Sequence, residues 1–198
     1  YWTEGLGGLG WAVDAVPTLK NGSTIGIASP PAVLLPDGRV VKPGITTAEQ
    51  LQGFAPDWTI AAETVAKPSY RWALVGSAVS VPIPEWIGWR FNTPGSYDQN
   101  RDRPFPIAGK MPRAARSDAT QSYAVEISTD PIGVRPPHLM SVMGSDFTLL
   151  SARATAGFLS RTDRAKLQFA AGFREAVRHH LAAVSGVPDV MGGARRAA

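Results

Sequence analysis

An α/β fold with a basic annex is what the sequence predicts, on three observations. Short β-branched or aliphatic runs alternate with stretches at helical spacing. Gly and Pro together supply 37 of 198 residues, so elements are short and connections long. Positive charge gathers in the second half: residues 1–89 hold five Lys/Arg against seven acids, and residues 90–198 hold fifteen against nine, which gives −2 and +6. A hydrophobic share of 44% with 18% charged residues supports a folded chain. No apolar run reaches the roughly 18 residues of a membrane span. No basic segment followed by an apolar stretch opens the chain, so no targeting signal is read. The first residue is Tyr1 rather than Met, which predicts a piece of something longer.

Residues 1–22 are glycine-rich and aromatic. Gly5, Gly7 and Gly10 match the dinucleotide-binding spacing, but that motif requires a preceding strand and a following helix to receive the phosphate. Only Tyr1–Glu4 precede it and Pro17 cuts the next segment short, so a glycine turn is expected and a nicotinamide-dependent oxidoreductase is set aside. Ser23–Ile27 reads as a short strand. Ala32–Leu35, the turn Pro36-Asp37-Gly38-Arg39, and Val40–Val41 read as a β-hairpin in which Gly38 permits positive φ. Thr46 or Thr47 is the expected N-cap of a helix through Glu49, Leu51 and Gln52, stopped by Gly53. Tyr70–Val81 has the apolar density of a buried element, broken by Pro82 and Pro84. Pro84 suits the first turn of a helix carrying Trp86, Ile87 and Phe91.

Residues 93–118, rich in Pro, Gly, Asn and Arg, read as a linker. Ser122–Ser128 alternates like a strand. Helices are expected at 152–160 and 171–184, the second with Phe173, Val177, Leu181 and Val184 on one face; residues 192–198 should fray.

Few residues suggest chemistry by themselves. With no cysteine, disulfides, thiolate metal sites and a cysteine nucleophile are excluded. His179 and His180 are adjacent, about 100° apart on a helix, and His138 follows two prolines with no acid near it in sequence. All three are read as solvated surface, and no metal site is expected. Arg101, Arg103, Lys110, Arg113 and Arg116, diluted only by Asp102, form the densest cationic stretch, which fits either a polyanion partner or a solvated basic surface; the resemblance given below implies that the polyanion is double-stranded DNA.

Two segments go further. Ile45-Thr46-Thr47-Ala48-Glu49-Gln50-Leu51-Gln52-Gly53-Phe54-Ala55-Pro56-Asp57-Trp58 resembles the ninth conserved motif of DNA cytosine-5 methyltransferases. Leu74-Val75-Gly76-Ser77-Ala78-Val79-Ser80-Val81-Pro82 resembles the tenth. Upstream, Val16-Pro17-Thr18-Leu19 is similar to the step that leaves the target-recognition region of that family. Order and spacing agree across residues 11–92.

The resemblance implies the C-terminal part of a Rossmann-like, S-adenosylmethionine-dependent methyltransferase and a cytoplasmic (bacterial) location. Residues 1–92 would carry the end of the target-recognition region and the return to the catalytic domain, and 119–198 a mixed α+β, partly helical extension. It further implies that Gly76, Ser77, Ala78 and Val79 line the cofactor pocket and that Glu49, Gln52, Gly53 and Phe54 hold the domain junction. Two positions depart from the family pattern. Ser77 stands where Asn is usual, and Gln50 replaces an Arg, which removes a charged fork. The family reaction needs a cysteine thiolate to attack C6 of a flipped cytosine. None is present here, so the chain alone is expected to be inactive and to require an N-terminal catalytic part, in the same chain or as a separate subunit. The alternative is a non-catalytic DNA-binding or regulatory module derived from such an enzyme.

Overall fold

The computed structural model describes residues 1–4, 8–20, 31–128, 133 and 135–186. In chain order the elements are β1 (Trp2–Glu4), β2 (Gly8–Gly10), β3 (Val33–Leu34), β4 (Val40–Lys42), α1 (Ile45–Leu51), α2 (Tyr70–Ser77), α3 (Pro82–Asn92), β5 (Asp102–Pro104), β6 (Ala115–Ser117), β7 (Ser122–Val125), α4 (Leu139–Val142), β8 (Thr148–Leu149), α5 (Ala152–Thr162) and α6 (Phe173–Val184). They divide into two units. One joins Tyr1–Val81 to Pro137–Ala198, and the other is Pro82–Pro136. The segment from Pro137 onward thus shares a unit with the N-terminal 81 residues.

The first unit is organised on the predicted hairpin. β3 and β4 pair antiparallel with Val33 opposite Val41, and the turn closes through Leu35 N–H to Arg39 O at 2.8 Å with Gly38 at φ +86°. Successive side chains of a strand point to opposite faces, and both faces here are covered. Val40 packs with Tyr1, Ala32, Leu150, Phe158, Leu159 and Val177, while Val41 packs with Val33, Leu35 and Leu139. The free edge of β4 is taken by β8, with Val41 opposite Leu149, so residues about 100 positions downstream complete the sheet. β1 and β2 form a separate antiparallel pair, so a strand occupies Gly8–Gly10 where a nucleotide fold requires a helix start. The expected strand at 23–27 and the expected fraying of 192–198 lie outside the described residues.

Two expectations are corrected in this unit. α1 does not take its cap from Thr46 or Thr47. Its N-cap is Gly44, which has no side chain to offer, and Asp146 supplies the acceptors instead. Asp146 Oδ2 accepts from Thr46 N–H at 2.9 Å and Thr47 N–H at 3.3 Å, and Oδ1 accepts from Thr47 Oγ1 at 2.6 Å. Nor is His180 a surface residue. It lies on the same stripe of α6 as Val177 and Val184, is buried, accepts from Val40 N–H through Nδ1 at 3.2 Å, and donates from Nε2 to Leu150 O at 2.9 Å. Those bonds select the Nε2–H tautomer and tie α6 to the hairpin. His138 stays exposed, but Asp14 meets it at 2.8 Å.

In the second unit, α3 buries no residue and already begins at Pro82. Residues 93–118 differ from the expected linker: β5 and β6 flank β7 in a three-stranded antiparallel sheet, with Pro104 on an edge strand where a missing N–H costs no ladder bond. All strand pairs among the described residues are antiparallel.

Gly44 is packed against Asp146 so closely that an added Cβ would lie 2.0 Å from the Asp146 carbonyl oxygen. Gly44→Ala should therefore displace the distant cap and lower stability by about 1–3 kcal/mol, read as a fall in the urea midpoint. Asp146→Ala should cost a similar amount while leaving the Gly44 backbone unstrained.

Candidate functional site

The two motif-bearing segments meet in the first unit, and buried polar side chains join them. α1 ends in a Schellman motif: Gly53 at φ +88° lets its N–H reach Gln50 O at 2.9 Å, and Phe54 N–H reaches Glu49 O at 3.0 Å. The reversal turns the chain into the loop 54–59 and a 3-10 helix, Ile60–Thr64, before α2. Phe54 then stacks on Trp58 with ring centroids 5.6 Å apart.

Gln52 clamps the end of α2. Its side-chain amide donates to Val75 O at 3.2 Å, its Oε1 accepts from Ser80 Oγ at 2.5 Å, and its backbone carbonyl accepts from Val81 N–H at 2.8 Å. One buried residue thus holds both ends of the stretch that contains Gly76, Ser77, Ala78 and Val79. Within that stretch Gly76 and Ala78 are half-buried, Ser77 is exposed, and Val79 is 64% exposed.

Glu49 secures the start of α2 through Arg71. Both are buried, at 0% and 4% exposure. Glu49 Oε1 accepts from Thr59 N–H at 2.8 Å, from the Thr59 hydroxyl, and from Arg71 Nη2 at 3.1 Å. The same guanidinium reaches Asp57 at 3.0 Å, Glu63 at 2.9 Å and Thr59 Oγ1 at 3.0 Å. Glu49 Oε2 is buried without a partner. Burial alone would raise the Glu49 carboxyl, but the bonds from Thr59 and Arg71 outweigh it and hold it below the ordinary carboxylate range. Burial likewise opposes the Arg71 charge, and the bonds to Glu63, Asp57 and Glu49 more than compensate. Arg71 escaped the sequence reading. Its signal was a single cation in an apolar stretch, with Glu49, Asp57 and Glu63 upstream of it.

Between these ties lies an open cleft of about 370 Å³ lined by Phe54, Trp58, Ala61, Ala62, Leu74 and Ala78. Leu74 and Trp58 are exposed along it, although apolar density predicts α2 as buried.

The cationic residues fall in the second unit and have different surroundings. Arg116 is spoken for: it forms a bidentate pair with Asp102, with Nε 3.1 Å from both carboxylate oxygens. It also lies 4.3 Å from the Tyr123 ring centroid and 5.1 Å from that of Tyr97. Bonds from Arg116 hold the Asp102 carboxyl below its usual range. Arg103 pairs with Glu126 at 3.0 Å, and Arg101 comes within 3.9 Å of Asp98. Lys110 and Arg113 are exposed in the β5–β6 connection. Among the described residues no group of His, Asp and Glu is arranged to hold a metal ion, and no helix is long and apolar enough to cross a membrane.

Arg71→Met leaves Glu49 buried without its counter-charge and should destabilise the chain by about 3–5 kcal/mol. Glu49→Gln leaves Arg71 two carboxylates and should cost less, roughly 1.5–3 kcal/mol. Urea titrations of both variants check the order. Because the folded Glu49 value is depressed, its contribution is complete above the unfolded value of about 4.3 and is lost as pH falls through the folded value. The native chain should lose stability on acidification below about pH 4, and Glu49→Gln should show a shallower acid limb.

Comparison with known proteins relates the chain to a methyltransferase. The chain is 41% identical over 168 residues to the Type II methyltransferase M2.BsuMI of Bacillus subtilis (strain 168). The matched stretch is 83% of this chain and 43% of that protein, so the chain spans less than half the length of this relative. No family model matches the chain, and no solved structure matches it.

Proposed function

We propose that the chain is the C-terminal part of a DNA cytosine-5 methyltransferase, which moves a methyl group from S-adenosylmethionine to C5 of cytosine in double-stranded DNA. The observation that carries this reading is the Gln52 clamp. A residue of the segment resembling the ninth motif bonds to Val75, Ser80 and Val81, and so fixes the segment resembling the tenth. The 41% identity to a Type II methyltransferase supports the same reading.

The cofactor wall would be Gly76, Ser77, Ala78 and Val79. Their small side chains at an exposed helix end suit the close approach of a flat, polar ligand, and the Ser77 hydroxyl offers both a donor and an acceptor. S-adenosylmethionine supplies the electrophilic methyl group when bound. The chain's own work is positional. Gln52 sets the two ends of the wall, and Glu49 with Arg71 sets the helix before it. Gly53 and Phe54 turn the chain between them. Arg101, Arg103, Lys110 and Arg113 would face the polyanion, while Arg116 orders the sheet that carries them.

Attack on the pyrimidine ring needs a thiolate, and these residues include no cysteine. A catalytic part in the same polypeptide or a second subunit would supply it, along with the parallel sheet of a Rossmann-like fold, in a cytoplasmic enzyme. A non-catalytic DNA-binding or regulatory module is the second reading, and Ser77 and Gln50 favour it.

The chain alone should transfer no labelled methyl group to duplex DNA. Transfer should appear on mixing with the native upstream polypeptide carrying a Pro-Cys motif. Activity of the chain by itself would sink the divided-site reading, and silence of the combined halves would favour the regulatory module.

A further inference from the structure

We propose that the β5–β6 connection, residues 105–114, is a DNA-inserting loop, in which Ile107 and Met111 enter the base stack while Lys110 and Arg113 hold the flanking phosphates. The inference rests on the DNA reading above and goes beyond it by assigning two different chemistries to one loop.

The topology builds the loop. β5 and β6 are the two edges of the sheet, with β7 between them, so the connection has to travel from one edge to the other. Its two ends are anchored. Phe105 and Pro106 are half-buried on one side, as are Pro112 and Ala114 on the other, and Ala114 O accepts from Val125 N–H at 2.9 Å. Pro104, Pro106 and Pro112 restrict φ along both arms, which lowers the entropy lost on binding. Gly109, at φ +105° and with nothing near its Cβ position, turns the chain at the tip.

Between the anchors, residues 107–111 are all exposed. Ile107 is fully exposed and Met111 is 69% exposed. Branched or flexible apolar side chains held out on a stiff, positively charged loop suit the wedge role, in which an apolar group parts a base step and neighbouring cations hold the backbone.

Charge selects the partner. Residues 103–117 carry four cations and no acid. Arg116 is half-buried against Asp102 and Arg103 shares an exposed pair with Glu126, so the two cations beside the apolar tip that have no carboxylate partner among the described residues are Lys110 and Arg113.

The test uses the full chain and a duplex oligonucleotide carrying 2-aminopurine, with affinity measured across a range of salt concentrations. Ile107→Ser/Met111→Ser should weaken binding about tenfold at every salt concentration with an unchanged salt slope. It should also abolish the rise in 2-aminopurine fluorescence that unstacking produces. Lys110→Gln/Arg113→Gln should instead lower the salt slope by about 1.8, the contribution of two phosphates. Both pairs lie on an exposed loop, and unchanged thermal midpoints would show that the fold is intact. If the Ser variant binds and unstacks like wild type, or the Gln variant keeps the full slope, the insertion is overturned while the DNA reading survives. The exposed tip would then suit a protein partner. Absence of any salt-sensitive DNA binding by the wild-type chain would overturn both.

Discussion

The guanidinium of Arg71 sits inside the protein with its charge intact, and much of the first unit is arranged to make that possible. Removing a cation from water costs several kcal/mol, which only opposite charge in good geometry offsets. Here the offset comes from three carboxylates on three successive pieces of chain: Glu49 on α1, Asp57 in the loop, and Glu63 on the 3-10 helix. Of these pieces α1 also packs on the apolar cluster of Val33, Leu35, Val41 and Leu139 through Leu51, whereas the 3-10 helix buries no residue. Their mutual position is set by where a five-donor fork can be satisfied. Glu49 is used unevenly: Oε1 accepts three bonds while Oε2 is buried with none.

Two further polar ties extend the same logic. Gln52 fixes the chain after α2 as Arg71 fixes its start, so the four residues of the proposed cofactor wall are held from both sides. Asp146 caps α1 from a hundred residues away, and β8 closes the edge of β4. The C-terminal segment is thus a structural part of the unit that bears both motifs. Arg71 reaches α1 through Glu49. That matters for function because a wall built from small residues has little packing of its own and takes its shape from what holds its ends.

Local features were legible in the sequence wherever neighbours decide conformation. The hairpin turn followed from Pro36, Asp37 and Gly38, the stop of α1 from Gly53, and the buried face of α6 from residues 173, 177, 181 and 184. Lys110 and Arg113, read as part of a basic run, lie exposed in the β5–β6 connection. Readings failed where the partner is distant. Thr46 and Thr47 have good capping chemistry, yet the cap comes from Asp146. His180 cannot be told from the adjacent His179 in the sequence, but it meets two backbone groups across the core. Arg116 counts as one more cation in a basic run until Asp102 and two tyrosines enclose it. The expected linker at 93–118 contains two strands, because β7 at residues 122–125 supplies the hydrogen bonds that its prolines and arginines obscure.

By itself the sequence determined which residue types were present and in what order: the absence of a thiol, the uneven charge, the turns, and the two ordered segments that resemble methyltransferase motifs. Tertiary structure decided which charges are paired inside the molecule and which remain exposed. That distinction is invisible in a linear string. A carboxylate stabilises a guanidinium through a few ångströms of space, whatever the number of residues between them.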